Sequence, residues 1–342
     1  MDTQHPRPDL PVLLLHNLDR QWPVDAISEA LDLTNRLSQA LLEIGHPTEM
    51  VCVEGDDLTH LLNEHRPDQY IVFNWCEEIP SLPRSAAQVA AQLEDLGFVF
   101  TGADSKALAL SQDKRQIKQC LIGKQIATPR WEIYERPHPN GWEGFPAIVK
   151  PVFEHCSYGI THESVVFDAC HLRQRVEYVL DTFHQPALVE DFIDGREFHV
   201  SVIGNGRLRV LPAAEMDFSA FTEPSGRLCT YDSKFDPQSS DYQLIGLKLP
   251  APLSGEEQNR LEATAIAAYR AASCRDYARM DIRLRDGIFY VLDVNPNADL
   301  SPDTSLALAA EVAGLPYGQL GSLLVNLAAQ RSPKFDQKGS IR

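Results

Sequence analysis

Positive charge is scarce in this chain: 31 lysines and arginines stand against 48 aspartates and glutamates, giving a net charge of −17. Binding to a polynucleotide rests on dense positive charge, so a nucleic-acid partner is not expected. A single nucleotide, which a few lysines and a metal can hold, is compatible with the same balance. Long apolar runs are missing as well. No stretch approaches the roughly 18 residues of a membrane span, and the opening MDTQHPRPDL lacks the basic-then-apolar order of a secretory leader. Neither a membrane nor export is therefore expected. The seven cysteines are odd in number and widely spread with no CxxC pair, which reads as reduced thiols in a cytoplasmic protein. His155, His162, His171, His184 and His199 have no HxxxH spacing, so zinc is not expected either. A GxGxxG run after the first strand is also absent, which withholds support from a strict dinucleotide fold.

What the chain does have is enough apolar material, 44% of 342 residues, for two or three domains. The first hundred residues alternate strand and helix signals. Strands are expected at 12–15, 50–53 and 70–73. An amphipathic helix through Ile27, Leu31, Thr34, Leu37, Leu41 and Ile44 closes at Gly45, and further helices are expected at 58–65 and 86–96. That alternation predicts a parallel sheet wrapped by helices. From Phe98 the pattern changes. One helix is expected over 105–122, strands at 147–152, 187–193, 198–203 and 208–212, and a helix over 165–180. A polar loop follows at 217–242, then a helix at 256–272, a strand pair at 277–284 and 288–294, and helix again over 305–330. Residues 331–342 read as a disordered tail.

Three segments carry chemistry. Along the pair of strands from Arg279 to Asn295, Met280, Ile282 and Leu284 can face a core while Arg279, Asp281 and Arg283 face the other way. Asp293 and Asn295 share a face with Phe289 and Val291 by the same alternation. Two carboxylates and an amide on one surface suit a hard cation such as Mg²⁺, with Mn²⁺ a substitute, although a solvated polar face has the same pattern. Lys150 ends an apolar strand and precedes a loop of small residues, Cys156, Ser157 and Gly159, suited to a phosphate; an exposed lysine reads equally well. The hairpin from Leu188 to Val200 offers backbone at Glu190, Asp191, Phe192 and Ile193 to an adenine edge and Glu197 to a ribose, or is an ordinary hairpin.

The order and spacing of these segments resemble the ATP-grasp superfamily, and within it the D-alanine–D-alanine ligases, over roughly residues 102–325. The resemblance implies an α/β protein with the ATP-grasp fold. An N-terminal parallel, Rossmann-like domain (1–102) would be followed by two α+β subdomains (103–195 and 196–330) that sandwich ATP. It implies ATP contacts at Lys114, Lys150, Glu190, Asp191, Phe192, Ile193 and Glu197, and a metal trio of Asp281, Asp293 and Asn295. It places Arg279, Lys234 and Ser157 in the catalytic machinery, and Ser305, Leu306, Cys156 and Glu77 toward substrate. The implied reaction joins a carboxylate to an amine through an acyl phosphate, on small amino-acid-like substrates, in a protein that can be a homodimer. Where the family has a glycine-rich start with a glutamate, this chain reads His16, Asn17, Leu18, Asp19, Arg20. Where it has His-Gly and Gly-Glu-Asp-Gly, the chain reads from Phe73 to Ile79. These departures fall on the substrate side, so D-alanine is not the expected substrate pair. Another ATP-grasp chemistry, kinase or carboxylase, and a non-catalytic nucleotide-binding module are the alternatives.

A shared metal requires Asp281 and Asp293 on one face. A three-residue loop, Arg285, Asp286 and Gly287, would pair Leu284 with Ile288, Asp281 with Val291 and Arg279 with Asp293, and this register is expected. The dipeptide Asp286-Gly287 alone favours a two-residue turn, which without a correction would put Asp293 on the opposite face.

Overall fold

The computed structural model describes residues 7–136 and 141–335. The N-terminal part is a four-stranded parallel sheet in the order Thr48–Val53, Val12–Asn17, Ile71–Trp75, Val99–Phe100. The central strand is buried along its whole length, as expected of a parallel strand covered on both faces. Its odd and even residues feed different cores. Leu13 and Leu15 meet Leu58, Leu62, Val89 and Leu93, from helices Leu58–Leu62 and Ala86–Asp95. Val12 and Leu14 meet Leu37 and Leu41 of helix Val24–Ile44, and also Leu320 and Leu324 of helix Tyr317–Gln330. The chain thus returns at its C-terminal end to cover the first sheet.

Two antiparallel sheets follow. One has the order Trp131–Tyr134, Ala187–Asp191, Ala147–Pro151, Val165–Val166, with helix Ala169–Phe183 packed on it. The other runs Gly246–Lys248, Ala214–Asp217, Arg196–Ile203, Tyr277–Arg285, Ile288–Pro296, with Arg209–Val210 also on Arg196–Ile203 and helix Gly255–Ala271 against one face.

Four sequence expectations are corrected. The helix expected from residue 105 is two, Ser105–Gln112 and Lys114–Gly123, because Asp113 is extended and caps the second by accepting from the Arg115 N–H at 2.9 Å. That break puts Lys114 at a helix start. The helix expected from residue 165 begins at Ala169, capped by Asp168, and Val165–Val166 is strand. The run 305–330 is broken by Gly314 (φ 78°) and Pro316 into Ser305–Val312 and Tyr317–Gln330. The tail is ordered as far as residue 335: Arg331 pairs with Asp276 at 2.8 Å and Phe335 is buried, while 336–342 lie outside the described residues.

The junction between the first sheet and the rest turns on Gly102. Its N–H donates to Asp276 Oδ2 at 2.8 Å, its carbonyl accepts from Arg275 at 2.6 Å, and the next N–H donates to Asn297 Oδ1 at 2.7 Å. With φ at +86° and Asn297 Oδ1 2.1 Å from where a Cβ would stand, only glycine fits. Gly102→Ala should cost about 1–3 kcal/mol, read as a lower denaturation midpoint. An unchanged midpoint would show that the junction can yield.

Candidate active site

The hairpin Tyr277–Arg285 and Ile288–Pro296 has a two-residue turn. Asp286 and Gly287 both have positive φ (52° and 73°), as a type I′ turn requires, and Arg285 pairs with Ile288. The three-residue loop expected from sequence is therefore not formed. The face requirement is met by another device: a bulge leaves Leu292 without a partner, so Ile282 pairs with Val291 but Asp281 with Asp293, and Arg279 with Asn295. The bulge also corrects the assignment of Phe289 and Val291. They lie in the core with Met280, Ile282 and Val294, on the face away from Asp293 and Asn295. Without the extra residue, Val291 and Val294 could not both reach that core.

On the polar face Arg279 grips Asp281 through two bonds, 2.7 and 3.1 Å, and Asn295 Nδ2 donates to Asp281 Oδ2 at 3.2 Å. Burial opposes ionisation of Asp281, but Arg279, His199 and Lys234 outweigh it and hold the carboxyl well below the usual range. Among the described residues Asp293 receives only its neighbour's N–H, from Val294 at 2.9 Å. One carboxylate is thus bound to arginine, and the other keeps an oxygen available beside the Asn295 carbonyl.

The opposite wall is built from lysines. Glu190, 1% exposed, is salt-bridged by Lys150 and, at 2.7 Å, by Lys118, itself 1% exposed. Burial works to raise the Glu190 carboxyl, yet the two ammonium groups hold it at about 2. Lys118 also donates to Thr128 Oγ1 at 2.8 Å, and Thr128 donates to the Val291 carbonyl at 2.8 Å, which ties this wall to the hairpin. Lys114 donates to the Glu154 carbonyl. His155 is pushed down to about 4, first by burial and then by Lys114, with Asp293 opposing. Beside it, Cys156 and Ser157 both have positive φ (53° and 63°) in a tight turn closed by Tyr158 N–H to His155 O at 2.9 Å. Among the described residues the amides of Cys156, Ser157 and Gly159 donate to nothing. Buried Arg175 steadies the loop through the Gly159 carbonyl at 2.8 Å.

Glu197 is held by Arg283 (2.7 Å to Oε2), whose guanidinium also takes the Ile193 carbonyl at 2.8 Å and stacks over Phe192 at 4.8 Å. The Phe192 side chain is buried among Ile148, Val165 and Leu228, so at this residue only the backbone can meet a ligand. Asp191 is engaged by Arg130 at 3.1 Å. His199, on the same strand face as Glu197, reaches Ser305 Oγ at 3.1 Å, and burial pushes it down to about 4, so it is neutral at neutral pH.

Glu77 lies in the loop after strand Ile71–Trp75, its N–H bonded to Asn17 Oδ1 at 3.1 Å. It is accessible to water yet ringed by protein. That confinement, then Asp299 and Glu78, pushes its carboxyl up to about 7. Lys234 sits on the short helix Asp232–Phe235, near Cys156. Leu306 is fully buried in the core with Leu320 and Leu324, so its side chain does not face the site.

The residues to which the sequence alone assigned no role in the site are Lys118, Arg283, His199 and Asp299. Three had a legible signal. Lys118 is one helical turn beyond Lys114, Arg283 is two residues beyond Asp281, and His199 is two beyond Glu197.

A family profile described as D-ala D-ala ligase C-terminus matches residues 130–326. An uncharacterized protein of Sinorhizobium fredii, y4sG, is 33% identical over 91% of this chain and 89% of its own length. The D-alanine–D-alanine ligase of Pseudothermotoga lettingae is 25% identical over 93% of this chain and 99% of its own. The crystal structure of the D-alanine–D-alanine ligase from Bacillus anthracis complexed with ATP superposes with a TM-score of 0.71, covering 94% of this chain and 98% of that one at 18% identity, a likeness of fold.

Proposed function

Because this chain belongs to the D-alanine–D-alanine ligase family, we infer that it is an ATP-dependent ligase that joins the carboxylate of one small substrate to the amine of another. The ATP-grasp fold comes with the family. The observation that carries the reading is the pairing of the bulged strand face (Arg279, Asp281, Asp293, Asn295) with the wall of Lys114, Lys118 and Lys150. Three lysines, Lys114, Lys118 and Lys150, face two carboxylates, Glu190 and Asp293, although burial pushes Lys114 and Lys118 down. The surplus positive charge and the undonated amides of residues 156, 157 and 159 suit a triphosphate. The oxygen donors of Asp293 and Asn295 suit Mg²⁺, which would supply charge neutralisation when bound. Arg283 fixes Glu197 at the position where a ribose hydroxyl would be accepted.

In the reaction a substrate carboxylate attacks the γ-phosphorus, ADP leaves and an acyl phosphate forms. An amine then attacks the acyl carbon, and inorganic phosphate leaves. Arg279, always charged and aimed by Asp281, would hold the oxyanion of the tetrahedral intermediate. Segment 217–242, joined to the loop near residue 162 through Asp241, His162 (2.8 Å) and Thr230 (2.8 Å), would exclude water from the acyl phosphate. At the substrate end Glu77 and Asp299 form an acidic corner, which fits an ammonium-bearing substrate.

Phosphate release measured with ATP, Mg²⁺ and a panel of L- and D-amino acids tests the reading. Release should depend strictly on a carboxylate donor and an amine acceptor, and D-alanine alone should be a poor pair. Phosphate release with no amine acceptor would point to a carboxylase type, and ADP formation without phosphate release to a kinase. Efficient D-alanyl-D-alanine synthesis would show that Glu77 and its neighbours rebuild the family's own pocket.

A further inference from the structure

Glu197 and His199 project from one face of strand Arg196–Ile203, and Cys229 arrives beside them from the segment between residues 226 and 232. One ligand atom from each lies within 4.8 Å of the other two, and His199 Nε2 stands 3.9 Å from Glu197 Oε1. Zinc bonds of about 2.0–2.3 Å at tetrahedral angles separate ligand atoms by roughly 3.3–3.8 Å, so side-chain shifts below about 1 Å would close the set. We propose that Glu197, His199 and Cys229 form a binding site for Zn²⁺, and that the ion excludes ATP by occupying the carboxylate that would receive the ribose.

The set is oriented for this. The other carboxylate oxygen of Glu197 is taken by Arg283, which leaves Oε1 directed at the histidine. His199 Nδ1 is bonded to Ser305, which leaves Nε2 as the coordinating nitrogen, the arrangement typical of metal-bound histidines. Sulfur and imidazole nitrogen select a softer cation than the all-oxygen donors of Asp293 and Asn295. On binding, the Cys229 thiol releases its proton to buffer and the thiolate bonds the metal. Burial and then Glu197 push the Cys229 thiol up, Lys234 and Arg283 oppose them, and Asp281 stands 3.9 Å from His199. Bound zinc would also pin the segment that carries Cys229 to the strand, holding the cover over the site in one position.

The competition rests on the nucleotide reading of Glu197; the metal site itself does not. Co²⁺ added to the nucleotide-free full chain should give a thiolate-to-metal charge-transfer band that Zn²⁺ abolishes. Cys229→Ser, nearly isosteric and checked for folding by circular dichroism, should remove the band and weaken zinc binding at least about tenfold. Cys156→Ser should leave the band in place. ATP and zinc should each weaken the other's binding to the wild-type chain. A missing band, or one that survives Cys229→Ser, overturns the site. A band with ATP and zinc binding independently overturns the exclusion of ATP and returns the fault to the ribose assignment of Glu197.

Discussion

Exchanging Glu190 for glutamine should destabilise the folded chain by about 3–5 kcal/mol. The reason is the company that Glu190 keeps. It is the shared counter-ion of Lys150 and of Lys118, whose side chain is 1% exposed, and glutamine's neutral amide would leave that buried ammonium group without its paired carboxylate. Removing one partner of a buried pair costs far more than the pair contributes, because the orphaned charge retains its desolvation penalty. Denaturant midpoints of the two proteins measure the effect. Its pH dependence has a fixed sign. The Glu190 carboxyl is held at about 2, against an ordinary 4.5, so its stabilisation is complete above pH 4.5 and disappears as the pH falls toward 2. The gap between wild type and Glu190→Gln should therefore narrow over that interval. The double variant Lys118→Met with Glu190→Leu should recover much of the stability while ATP binding stays impaired. A Glu190→Gln protein as stable as wild type at pH 7 would mean that Lys118 is neutral or hydrated.

Replacing Arg279 by leucine should lower kcat by about 10²–10³-fold with a much smaller change in the KM for ATP. The guanidinium is fixed by two bonds to Asp281, and its strand neighbour across the hairpin is Asn295 rather than the core. It is therefore preorganised beside Asp281, with Cys156 and Cys229 nearby. Lysine should rescue little, since one ammonium group cannot reproduce the forked contact. Two outcomes separate catalysis from structure. Pairing Arg279→Leu with Asp281→Leu should restore the denaturation midpoint without restoring turnover. If turnover returns with stability, Arg279 serves only to neutralise Asp281.

Much of this architecture was legible because it depends on neighbours in the chain. Short apolar runs and three-to-four spacing locate three of the four strands and the helices of the first hundred residues, though not strand Val99–Phe100, and Gly45 ends its helix in the left-handed conformation expected of it. The dipeptide Asp286-Gly287 made the two-residue turn that its chemistry favours. Asp281 and Asp293 do share a face, but a bulge within the strand, not the loop, brings them there. The bulge at Leu292 lies within the strand because Val291 and Val294 must both meet helix Gly255–Ala271, a demand from residues far away in sequence.

The sequence by itself determined which residue types could bind a nucleotide and in what order they occur, since side-chain chemistry and alternation are local properties. Tertiary structure alone decided that Lys118 shares Glu190 with Lys150 and that Leu306 turns into the core. It also decided that the last helix closes the first sheet and that Cys229 stands beside His199. Each of these is a choice of partner across tens or hundreds of residues. Such choices are set by which surfaces and charges can be buried together, and no local pattern records that.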